Sequence, residues 1–157
     1  MKMRGILIYV CTLSLLSAGN PSDNEIKISK KIDQLLEKMT VEEKIGQMTQ
    51  RNGPDGHEEG VRRGEIGSLL NAIDTKKVNE LQRIAVEESR LGIPLIVGRD
   101  VIHGFRTIFP IPLGQAASWN PELLKQGTRV AALEAASVGI HWTFGPMMDI
   151  TRDPRWG

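Results

Sequence analysis

The stretch from Ile93 to Arg106, IPLIVGRDVIHGFR, decides how the chain folds. Its opening residues are two isoleucines, a leucine and a valine, with no charge before Arg99, the composition of a buried β-strand. Asp100, His103 and Arg106 then arrive within seven positions, and an apolar loop with prolines, TIFPIPLG (107–114), follows. In parallel α/β folds the ligand sits at the carboxyl ends of the strands. A strand that runs into such a cluster of hydrogen-bonding groups therefore points to a binding rim.

The flanking sequence supplies the helices that a parallel sheet requires. Before the strand, Asp74 is placed to cap a helix with apolar positions Val78, Leu81, Ile84 and Ala85, and Gly92 ends it. Further upstream, IGSLLN (66–71) reads as a strand, and RNGPDGHEEGVRRGE (51–65) as turn chemistry throughout. IGQMTQ (45–50) is a candidate first strand, preceded by a capping box in which Thr40 and Glu43 satisfy each other's backbone. Ile28, Ile32, Leu35, Leu36 and Met39 form the stripe of an amphipathic helix. After the Pro-rich loop, Asn120 and Pro121 begin a helix that Leu124, Val130, Ala131, Ala135 and Val138 carry to Gly139. A fourth strand, IHWTFGPMMDI (140–150), closes the series. Strands alternating with helices predict a parallel sheet covered by helices, with Asn71, Asp100 and Asp149 on one rim.

Composition narrows the partners. The chain has 157 residues, 40% apolar and 25% charged, with a net charge of +1. So neutral a chain has no global field to draw nucleic acid or an anionic membrane. Aromatic residues at 4% argue against a β-sandwich built on rings. Residues 1–19 read as a secretory signal: Lys2 and Arg4, the apolar run GILIYVCTLSLLSA, then small residues favouring cleavage after Gly19. A single membrane anchor is the alternative. The one cysteine, Cys11, would leave with the signal, and residues 20–27 are expected to form a disordered leader. The mature product is expected to be periplasmic or secreted, with no membrane partner.

Several chemistries have no support. There is no G-x-G-x-x-G after a strand, no G-K-[ST] and no G-x-S-x-G elbow. HEEG (57–60) lacks the second histidine of a zinc helix, so neither metal nor cofactor is expected. What remains is the rim: Asp100, His103, Arg106, Asp149, Arg152, Asp153, Arg155 and Trp156. Carboxylates accept sugar hydroxyl hydrogens, guanidinium groups donate to sugar oxygens, and an indole stacks on the C–H face of a pyranose. The competing interpretation is that these acids and arginines pair and merely fix loops. Asp100 is the first choice as a sugar ligand, because a charge at the end of a buried strand is costly unless used. Arg106 is the second, and His103 reads as a supporting hydrogen-bonding residue.

With these residues in view, the chain resembles the N-terminal barrel of glycoside hydrolase family three β-glucosidases of the periplasmic bacterial branch. The resemblance rests on LLEKMTVEEKIGQM, AVEESRLGIPLIVGRDVIHGFRTIFPIPLGQAAS, NPELL and GIHWTFGPMMDITRDPRWG, and it covers Ile28 to Gly157. It implies a (β/α)8 barrel followed by an α/β sandwich, acting on terminal β-linked glucose with retention. Asp100 matches the aspartate that holds hydroxyls of the sugar in the −1 subsite, and Arg106 an assisting arginine. The family's next sugar-binding arginine, its nucleophile and its acid/base match nothing in residues 28–157, so no catalytic residue is assigned here. Residues 28–157 are thus expected to be the first half of a TIM-type barrel, about four βα units, inactive alone. A β-xylosidase of the same family and a non-catalytic carbohydrate-binding remnant remain open. The hexosaminidase branch is disfavoured by VIHGFR after Asp100.

Overall fold

The structure, a computed structural model, describes residues 22–147 and 152–153. The expected signal segment lies outside these residues, as do Asp149, Arg155 and Trp156. The described residues divide into two compact units, with the boundary between Glu37 and Lys38.

In the first unit, helix α1 (Asp23–Lys38) starts well before the apolar stripe that announced it. Ser22 and Glu25 form a capping box: the Glu25 N–H donates to Ser22 Oγ at 3.3 Å, and the Ser22 N–H to Glu25 Oε2 at 2.5 Å. The disordered leader expected over 20–27 is therefore corrected from Ser22 onward. Two local hydrogen bonds lower the cost of the first turn, which is the unfavourable step in helix formation.

The second unit opens with α2 (Val41–Met48), and the Thr40–Glu43 capping box is present at 3.2 and 2.9 Å. Once started, this helix runs through Ile45, Gly46, Gln47 and Met48, which were expected to be strand. The strand that follows, β1 (Gln50–Asn52), is short. Helix α3 (Glu58–Arg62) occupies the stretch read as turn, anchored by the buried Val61. Then come β2 (Ser68–Leu70), α4 (Thr75–Arg83), a π-helical turn at Ile84–Glu88, β3 (Ile96–Arg99), α5 (Pro112–Ala116), α6 (Pro121–Ala136) and β4 (Trp142–Thr143). Helix α5 is a further correction, one helical turn inside the Pro-rich loop. The Asp74 cap, bonded to the N–H groups of Lys76 and Lys77, and the Asn120 cap, bonded to that of Leu123, are as expected. The helix after Asp74 stops at Glu88, short of Gly92, which instead turns the chain at φ +63°.

All four strands are parallel and lie in the order β1-β2-β3-β4, each joined to the next through helix. Doubly wound sheets reverse strand order at a switch point, whereas barrels advance one strand at a time. The sequential order is that of a barrel, with four strands among the described residues. Leu69 of β2 and Val97 of β3 sit side by side, fully buried beneath Val61 of α3, Val78 and Leu81 of α4, and Ala135 of α6. Ile96 and Trp142, on the opposite pleat, are about half exposed (49% and 46%). Among the described residues no helix is long and apolar enough to cross a membrane.

Candidate functional site

The carboxyl ends of β1, β2 and β3 carry a line of polar side chains. Asn52 ends β1, and its Oδ1 accepts from Asn71 Nδ2 at 3.1 Å. Asn71 follows β2 with φ +61°, a conformation that asparagine tolerates better than most residues, and its N–H donates to the Gly98 carbonyl. Asn71 Oδ1 in turn accepts from Arg99 Nη1 at 3.4 Å, and the Arg99 guanidinium lies 5.5 Å from the centre of the Phe105 ring. Phe105 packs against the core. Successive strand ends are thus tied to one another and to the loop after β3.

That loop carries all three residues singled out by sequence. Asp100 is exposed and makes no hydrogen bond or ion pair among the described residues. The strand beneath is buried, but the carboxylate is in water, so its charge does not carry the burial cost expected at this strand end. An exposed carboxylate is an acceptor with lone pairs available to ligand hydroxyls. Arg106 is also exposed, and its guanidinium bonds to no described residue. Asp100 and Arg106 do not pair with each other, and the Arg106 charge acts on the Glu134 carboxylate instead.

His103 is half-buried and internal to the loop. Its Nδ1 lies 3.0 Å from the Phe109 carbonyl, which can only accept, so Nδ1 carries the proton. The Phe109 N–H returns a bond to the His103 carbonyl at 2.8 Å, and Gly104 bridges Ile108. Gly104 has φ +127°, and a side chain there would run into the Thr107 carbonyl. Residues 103–109 therefore close on themselves. Thr143 of β4 holds the other end, its hydroxyl accepting from the Val101 N–H at 3.3 Å.

Sequence reading passed over Glu134. From α6 its carboxylate accepts from the backbone N–H groups of Arg106 and Thr107, both at 2.8 Å, and from Thr107 Oγ1 at 2.7 Å. These bonds, that of the Thr107 hydroxyl foremost, hold its carboxyl below the usual value of 4.5. A signal was present. Glu134 falls on the helical face of Ala131 and Val138, an acid inside an otherwise apolar stripe. Of the residues further on, Arg152 is exposed and Asp153 half-buried. No group of three or more His, Cys, Asp or Glu among the described residues is arranged to hold a metal.

Comparison with known proteins fits this geometry. Residues 40–157 match the Glycosyl hydrolase family 3 N terminal domain. The chain is 44% identical to a periplasmic beta-glucosidase of Salmonella typhimurium over 131 residues, covering 80% of this chain and 17% of that protein. It is 29% identical to a putative beta-xylosidase of Formosa agariphila over 177 aligned positions, 98% of this chain and 23% of that protein. Among solved structures, a beta-glucosidase from Listeria innocua superposes with a TM-score of 0.69 at 37% identity, covering 82% of this chain and 19% of that one. The chain spans about a fifth of the length of these relatives. With its parallel sheet in barrel order, it belongs to glycosyl hydrolase family 3, in the N-terminal, TIM-barrel-like domain of that family.

Proposed function

We propose that residues 28–157 are the opening βα units of a retaining, exo-acting β-glucosidase and hold part of its −1 sugar subsite. The observation that carries this reading is Asp100, an exposed carboxylate with no protein partner among the described residues, at the end of a buried strand on a braced loop. The Asp100 carboxylate would take two hydroxyl hydrogens of the terminal sugar, and the Arg106 guanidinium would donate to a neighbouring oxygen. Neither residue acts as nucleophile or acid. The two catalytic carboxylates of retaining hydrolysis, about 5 Å apart, are assigned to no residue of this chain and would be supplied by the rest of a complete enzyme. The beta-glucosidase of Listeria innocua has been solved with glucose and with laminaribiose, and that class of ligand is the one proposed here. Export through the segment at 1–19, giving a periplasmic or secreted enzyme, accompanies this reading.

A β-xylosidase is the second reading, favoured by the Formosa agariphila relative that matches 98% of the chain. Assaying the complete protein that contains this chain against aryl β-glucoside and aryl β-xyloside separates the two. In the same protein, Asp100→Asn should lower kcat/KM at least about 100-fold, since each charge-assisted bond contributes about 1.5–3 kcal/mol and 1.4 kcal/mol is tenfold. Near wild-type kcat/KM in the folded variant would remove Asp100 from the subsite.

A further inference from the structure

We propose that Glu134 is a positioning residue that sets the direction of Arg106. The proposal rests on the sugar-subsite reading of the β3 loop and adds to it the group that orients one of its ligands. Arg106 has an exposed guanidinium on a long side chain, and an isolated loop would let that chain sweep a wide volume. Here the backbone on both sides of its Cα is pinned. The N–H of Arg106 itself and the N–H of Thr107 both point into one carboxylate, at 2.8 Å each, and Thr107 Oγ1 joins them at 2.7 Å. A carboxylate is the suitable acceptor, because charged acceptors make shorter and stronger bonds than amide oxygens and can take three donors at once.

The rest of the loop is closed independently. His103 and Phe109 exchange two hydrogen bonds, and Gly104 bridges Ile108. The closed ring of residues 103–109 would hold its shape without Glu134, yet nothing else among the described residues ties its tip to α6 by hydrogen bonds. Glu134 therefore adds registration of that ring against the barrel wall. Positioning of this kind lowers the ordering cost of binding, so its loss falls on substrate affinity ahead of the chemical step.

The test is a double-mutant cycle in the complete protein, with 4-nitrophenyl β-D-glucopyranoside as probe. Glu134→Ala and Arg106→Ala should each raise KM about tenfold with kcat nearly unchanged, the signature of lost uniform binding. Because both act through one guanidinium, the double variant should be little worse than Arg106→Ala alone. Multiplicative effects, with KM up about a hundredfold in the double variant, would overturn the positioning role, as would an unchanged KM in Glu134→Ala. If Glu134→Ala does not fold, Glu134→Gln, which keeps one carbonyl acceptor, enters the same cycle. It should raise KM about threefold, and that rise should vanish when Arg106 is already alanine. An additive rise would overturn the proposal. Should Arg106→Ala alone leave KM unchanged, the subsite reading itself falls and the positioning role falls with it. Failure of the positioning role alone shows instead as an Arg106 effect that Glu134 does not share.

Discussion

Two regions a few residues apart along β3 are stabilised in opposite ways. Below the rim, Leu69 and Val97 are completely buried among Leu81, Ile84, Ala85 and Ala135, a region held by apolar area and close packing. Above it, the loop from Asp100 to Phe109 has no fully buried side chain; Val101 and Phe105 pack partly against the core, and directional bonds hold the rest: Glu134 to Arg106 and Thr107, His103 to Phe109, Thr143 to Val101. Packing tolerates a range of side chains of similar volume. A hydrogen-bonded loop demands particular donors and acceptors, but it leaves its charged side chains facing water. Such a division suits a binding site, in which a rigid apolar layer carries a rim whose ligands are not used up by the protein.

The largest effect should come from the packed layer. Leu69→Ala in the complete protein should cost about 3 kcal/mol of stability, from lost transfer energy and the cavity left behind. Denaturant melts would show this, and kcat per folded molecule should be preserved. A loss below about 1 kcal/mol would mean that the packed layer is not what supports the rim.

The rim should behave in the opposite sense. Arg106→Ala is expected to shift KM about tenfold while leaving the melting midpoint within the small range of surface substitutions, about ±0.5 kcal/mol. A large drop in midpoint would make Arg106 a structural residue and erase the contrast. His103 sits between the two regimes. His103→Ala removes one bond to the Phe109 carbonyl and should cost about 1 kcal/mol of stability, with little change in kcat. If kcat collapsed while stability held, His103 would belong among the substrate contacts.

The smallest effect should be in pH dependence. Glu43 is buried, bonded to Arg90 and to the Thr40 backbone, and the Arg90 hydrogen bond is the main cause that holds its carboxyl below 4.5. The folded state therefore releases this proton more readily than the unfolded chain. Its contribution to stability is complete above pH 4.5 and is lost as pH falls from there through the lower, folded value. Urea midpoints should decline in that acidic window, and less steeply in Glu43→Gln. Equal slopes in both proteins would show that the ion pair between Glu43 and Arg90 adds no pH-dependent stability.

Much of this could be read along the chain. The parallel sheet, the caps at Thr40, Asp74 and Asn120, the strand before Asp100 and the family all follow from short motifs. The structure departs from the local pattern where two local rules compete. The Ser22–Glu25 capping box outweighed the polar composition of the leader, and the Thr40 box carried α2 through residues with strand-like composition. Asp100 follows directly after β3, but its carboxylate is exposed, so the cost of burying a charge is not what singles it out.

Caps involve neighbours two or three positions apart, so the local sequence contains both partners and the interaction can be seen before folding. The bonds that shape the rim do not have that property. Glu134 lies 28 residues from Arg106, Asn71 lies 19 from Asn52, and Arg99 lies 28 from Asn71. Each pair meets only after β1, β2 and β3 align in register and α6 packs behind them. Which charges face water and which are consumed in holding the loop is therefore settled by packing between distant segments, because a hydrogen bond exists only where donor and acceptor are brought within about 3 Å.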